Sequence, residues 1–123
     1  MAAPNLIGAT TINGKTTGSN LTSTGAFTVL NNASGSGKCL KINTLNVSNF
    51  GTSSATIYIN YNNAANLGGT NFAVVGNVSV PAGSTLNVID KTSQYYLEEN
   101  TSIGATAGTA NVMHVTVSYE DIS

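Results

Sequence analysis

The stretch Val112–Glu120, VMHVTVSYE, alternates without a break. Met113, Val115, Val117 and Tyr119 fall on one face of an extended chain; Val112, His114, Thr116, Ser118 and Glu120 fall on the other. Successive side chains of a strand point to opposite sides, so a period of two with one apolar and one polar set marks a half-buried β-strand. The segment predicts a strand whose first set faces a core and whose second set faces solvent or a partner.

The same rhythm recurs outward from this segment. Short runs of Val, Ile, Thr, Tyr and Phe bounded by Gly, Asn, Ser and Pro predict strands at Leu6–Ile12, Ala26–Leu30, Lys38–Phe50, Ala55–Tyr61, Asn71–Val80, Thr85–Asp90, Tyr95–Glu98 and Ser102–Thr106. Ile57, Ile59 and Tyr61 form an inward set with Tyr58 opposite; Val74, Gly76, Val78 and Val80 form another, and Leu86 with Val88 another. Asn13-Gly14 reads as a tight turn, and residues 13–25 as a long polar connection. Only NNAANLG, residues 62–68, reads as a helical turn. The pattern predicts one all-β domain over residues 1–123, with 1–12 as an extended N-terminal arm. Its architecture is expected to be a two-sheet antiparallel β-sandwich, Ig-like or jelly-roll-like, of about eight short strands.

One stretch breaks phase. In KCLKINTLNVSNF, Leu40 and Ile42 keep one parity while Leu45 and Val47 keep the other. A regular strand cannot carry all four to one side. Burial of all four predicts a bulge near Asn43–Thr44, or a bend between sheets.

Composition restricts the function classes. Charged residues make up 7% of the 123 residues, against about 25% in ordinary soluble domains. The polar surface must therefore come from Asn, Thr, Ser and Gly, which suits a chain whose surface is covered in an assembly. The net charge is −1, with four lysines and no arginine. That is no basic stripe for phosphates, so no nucleic-acid partner is expected. No apolar run reaches membrane-spanning length and the N-terminus has no signal-peptide pattern, so no membrane partner or secretion is expected. The single cysteine, Cys39, excludes an intramolecular disulfide and reads as a small core residue.

Catalytic constellations are missing their parts. S-G-S-G-K at 34–38 resembles a phosphate loop, but Cys39 stands where the metal-binding hydroxyl belongs, Asn32 replaces the first glycine, and a strand follows instead of a helix. It reads as a hairpin loop with a lysine at the strand entrance. One histidine and one cysteine cannot form a Cys/His metal cluster, and His114 reads as an exposed side chain. Glu98 and Glu99 are adjacent and point apart, so they make no glycosidase pair. Asp90 and Glu98 lack an ordered Asp-x-Asp calcium loop. No enzyme activity and no cofactor are expected. Tyr95-Tyr96 put one ring on each face, one for the core and one for an interface.

Both ends of the chain carry a resemblance. The pattern M-A-A-P-N-L then T-x-x-G-K occurs at Met1–Leu6 and Thr11–Lys15. V-P-A-x-x-T-L, I-D-K, Y-L-E-E-x-x-S-I and V-S-Y-E-x-I-S occur at Val80–Leu86, Ile89–Lys91, Tyr96–Ile103 and Val117–Ser123. The middle fits S-G-K-x-x-x-V/I-N-x-L-x-V-x-N. Together they resemble a family of small virion structural proteins of tailed bacteriophages of marine bacteria, above all those of cyanobacteria. The resemblance implies a non-enzymatic, multi-copy particle component assembled in the bacterial host cytoplasm. A head decoration or cement protein, a homo-oligomer bound to the major capsid protein or other virion proteins, is the expected role. A neck, tail, baseplate or fibre component, including a host-surface adhesin, is the alternative. Pro4, Asn5, Leu6 and Ile7 of the arm, with Tyr95 and Tyr96, are the candidate interface residues.

Overall fold

A computed structural model describes residues 6–123, and their side chains from residue 7 onward. After a single 3-10 turn at Leu6–Gly8 come nine strands: β1 (Ile12–Asn20), β2 (Phe27–Asn32), β3 (Cys39–Asn49), β4 (Ala55–Asn62), β5 (Asn71–Val80), β6 (Thr85–Ile89), β7 (Tyr95–Leu97), β8 (Thr101–Ala107) and β9 (Met113–Ile122). A second 3-10 turn, Ala65–Leu67, stands where the helical turn is expected.

The pairings define the connectivity. Without the three-residue β7, the strands pair first with last: β1 with β9, β2 with β8, β3 with β6, β4 with β5, all antiparallel. That is one long hairpin folded double. Two further antiparallel pairings, β3 with β9 and β4 with β8, roll it into two stacked sheets. The order β1-β9-β3-β6 thus faces β2-β8-β4-β5, with β7 also on β3. This is a jelly-roll sandwich, and it decides against the Ig-like alternative.

The core lies between the sheets and follows the period-two reading. Met113, Val115, Val117 and Tyr119 of β9 are buried and share a cluster with Ile57, Ile59, Ile103, Ala105 and Ile89. Leu40, Ile42, Leu45 and Val47 of β3 are all buried in it, and the ladder to β9 slips between Ile42 and Thr44. The extra residue at Asn43 restores phase, as the sequence requires. Cys39 is also buried, and burial, helped by the Glu98 carboxylate, pushes its thiol pKa up.

Four expectations are corrected. Leu6–Ile12 is not a strand. Residues 13–25 are not a connection: Ile12–Asn20 pairs residue for residue with β9, and Asn13-Gly14 lies inside that ladder opposite Asp121 and Glu120. The partner strand supplies hydrogen bonds that override the local turn preference. The S-G-S-G-K loop is not a hairpin, because β2 and β3 belong to different sheets; Gly35 and Gly37 adopt φ of 75° and 70° to make the crossing. In β5 the set Val74, Gly76, Val78 and Val80 does not hold, since the register shifts and Val75, not Val74 or Gly76, opposes Ile59.

Candidate interaction surface

The outer face of the larger sheet is built from small uncharged residues. The register places Thr16, Ser118 and Thr44 in one row, Gly18, Thr116, Asn46 and Asn87 in the next, and Asn20, His114, Ser48 and Thr85 in a third. Ser48 and Thr85 share a 2.9 Å hydroxyl hydrogen bond across strands. The sequence reading of His114, Thr116, Ser118 and Glu120 as outward is borne out, whereas Val112, just before β9, packs against the core instead. At one end of this face Phe50 stacks on the His114 ring, with centroids 4.1 Å apart. At the other end stand Lys41 and Glu120, opposite each other, and Tyr96 beside Lys41. Asn43 at the bulge donates to Glu120 Oε2 at 3.0 Å and accepts from Gln94.

The two tyrosines divide as expected. Tyr95 pairs with Ile42 on the inner side and packs against the core, whereas Tyr96 is 48% exposed on the outer face. Of the remaining interface candidates, Pro4 and Asn5 lie outside the described residues, as does the start of the expected arm. Leu6 opens the 3-10 turn, and Ile7 within it is 97% exposed.

Asp121 is the one charged side chain of the inner face of β9. Its side chain is 7% exposed, and Lys15 and Lys38 both reach its Oδ2, at 3.1 and 3.2 Å. Burial pushes the carboxyl pKa up, but hydrogen bonds from Lys15 and Lys38, with their charges, outweigh it and hold the pKa below its ordinary value. Oδ1 is buried with no hydrogen-bond partner. A cleft of about 250 Å³ opens here, lined by Asn32, Ser36, Lys38, Tyr119 and Asp121 among others. The lysine of S-G-S-G-K thus reaches a carboxylate of its own chain. The node ties β1 and the β2–β3 crossing to β9.

Asparagine does more than line the surface, which composition could not reveal. Asn32 donates to the carbonyls of Lys38 and Leu97, and Asn49 donates to those of Ser53 and Val80. Each is buried and spans from one sheet to the other. A second group holds the β4–β5 loop against the outer face of the smaller sheet. Asn62 accepts from the amides of Ala64 and Gly69, Asn100 from Ala65, Asn31 from Asn66, and Ser102 from Leu67. Asn66 and Leu67 sit at φ of 55° and 59°, costly for leucine, and the side-chain acceptors hold them there. The Leu67 side chain lies over Gly104, where an added Cβ would meet it at 2.8 Å.

Among the described residues no group of three or more His, Cys, Asp or Glu is placed to hold a metal ion. None of their helices is long and apolar enough to cross a membrane. No family model and no curated protein matches the chain.

Proposed function

We propose that this protein is a non-enzymatic structural component of a tailed-phage particle, a capsid decoration protein that sits on the head surface in many copies. The observation that carries the reading is the outer face of the larger sheet. It spans β1, β9, β3 and β6, yet its only charged pair, Lys41 and Glu120, stands at one end. Depletion of charge with aromatic residues at hand is the compositional mark of an interface, and Phe50 and Tyr96 are both about half exposed at opposite ends of this face. The sequence resemblance to phage virion proteins points the same way. Jelly rolls serve in viral capsids and also in lectins, so the architecture alone does not choose.

Quantitative mass spectrometry of purified particles of the encoding virus tests the role. A ratio to the major capsid protein of about one to one, or about one to three, is expected. A small fraction of that would move the protein to the neck, tail, baseplate or fibre and favour a host-binding role. Absence from the particle would remove the virion role.

A further inference from the structure

We propose that the free edge of β1 is a docking seam for the β1 strand of a second copy, paired antiparallel about a two-fold axis through Thr16. The proposal does not rest on the virion role, since it concerns the isolated chain.

The backbone geometry comes first. Thr11 and Ser123 exchange amide-to-carbonyl bonds at 2.9 Å, and Leu21 donates to the Met113 carbonyl at 3.0 Å. In an antiparallel ladder such pairs alternate, so the odd-numbered residues of β1 bond towards β9. Ile12, Gly14, Thr16, Gly18 and Asn20 therefore direct their amides and carbonyls outward. Among the described residues no strand meets them, because β1 ends the sheet order. Eight of its nine residues are exposed, so neither face of β1 is covered.

A comparison of the sheet edges singles out β1. Unpaired edges are templates for another chain, and proteins blunt them by bulges, shortness, proline or charge. β2 carries a register shift between Thr28 and Leu30. β5 shifts twice against β4 and holds Asn77 at φ of 57°. β6 and β7 have five and three residues. β1 has nine, no proline, an unshifted register and one charge, Lys15.

The sequence of β1 fits its own copy. Two copies meeting through the same edge are related by a two-fold axis, which makes the strands antiparallel. An axis through Thr16 overlaps the whole strand: Thr16 faces Thr16, Gly14 faces Gly18, and Lys15 faces Thr17. Cross-strand threonine pairs are favourable. Moving the axis to Lys15 would oppose two like charges and shorten the overlap. With a net charge of −1 there is little repulsion between copies. The seam also joins two outer faces into one continuous surface.

Three cysteine variants of the full chain test the register. Hydrogen-bonded antiparallel partners stand about 5.5 Å apart at Cα, within disulfide reach. Under mild oxidation Thr16→Cys is expected to give a covalent dimer on a non-reducing gel, whereas Lys15→Cys and Thr17→Cys stay monomeric. Sedimentation is expected to show wild-type dimer and, for Thr16→Pro, dimerisation more than about tenfold weaker with the circular dichroism unchanged. That substitution removes an amide that bonds outward only. Monomeric wild-type protein at its highest soluble concentration would overturn the proposal and leave a strand of another protein as the occupant. Equal cross-linking of all three variants would overturn the register.

Discussion

Val117 and Thr17 are cross-strand neighbours, one on β9 and one on β1. Val117 is 1% exposed in the core, whereas Thr17 is exposed. The two strands share a ladder and a twist and differ in what lies over them. β9 is flanked by β1 and β3 and covered by the opposite sheet; β1 has a neighbour on one edge and, among the described residues, nothing over either face. Burial fixes β9, while backbone hydrogen bonds and the Lys15–Asp121 contact fix β1. Burying one apolar side chain contributes about 1.5–3 kcal/mol, and a ladder hydrogen bond contributes about 1 kcal/mol. The stability of the two strands should differ accordingly.

Aspartate substitutions break this comparison most sharply. Val117→Asp puts an unpaired charge into the core and is expected to cost on the order of 4 kcal/mol or more, enough to prevent soluble expression. Thr17→Asp, on the adjacent strand, is expected to stay within about 0.5 kcal/mol in urea unfolding. Similar losses for both would mean that β1 is covered. Glycines give a middle-sized effect. Gly104→Ala drives a methyl group against Leu67 and the Asn60 side chain, at about 1–3 kcal/mol. Gly14 and Gly18 face open space, so alanine at either should be neutral or slightly stabilising in thermal melts, within about 1 kcal/mol.

The smallest effect concerns Asp121. Asp121→Asn should cost about 1 kcal/mol at pH 7, a modest figure because Lys15 and Lys38 are nearly half exposed and screened. The folded pKa lies below the unfolded one, so the ionised carboxylate stabilises the fold fully above about pH 4. That contribution is lost as pH falls through the lower, folded value. Urea unfolding from neutral to acid pH should show the gap between wild type and variant closing in that acid range. A constant gap would mean that the two lysines do not stabilise the carboxylate.

What could be read in the sequence tracks burial. Leu40, Ile42, Leu45 and Val47 announced both their burial and the bulge, because a core demands one side and a strand offers alternate sides. The same logic put Tyr95 and Tyr96 on opposite faces, and the pairing with Ile42 and Lys41 showed which of them turns inward. INGKTTGSN carried no such signal, since a strand uncovered on both faces has no reason to alternate. Its Asn-Gly dipeptide and two glycines then read as loop. The asparagine network was hidden for a different reason. Asn31, Asn62 and the neighbouring Asn100 and Ser102 come from three distant parts of the sequence and meet only through the β2–β8–β4 register. The Asp121 node likewise joins lysines 106 and 83 residues away. In the outer face, the sequence revealed the outward set of β9, while the matching rows on β1, β3 and β6 required the pairing.

Native-state hydrogen exchange of β1, followed by NMR at several protein concentrations, tests the open-edge description most directly. The expected result is protection of the Asn13, Lys15, Thr17 and Ser19 amides at every concentration, weaker than that of β9. The Gly14, Thr16, Gly18 and Asn20 amides should be protected at high concentration and lose protection on dilution. Exchange of the odd-numbered set as fast as that of loop amides, or of the even-numbered set at the highest concentration, would contradict the description of β1 as a strand held on one edge and paired to its copy on the other.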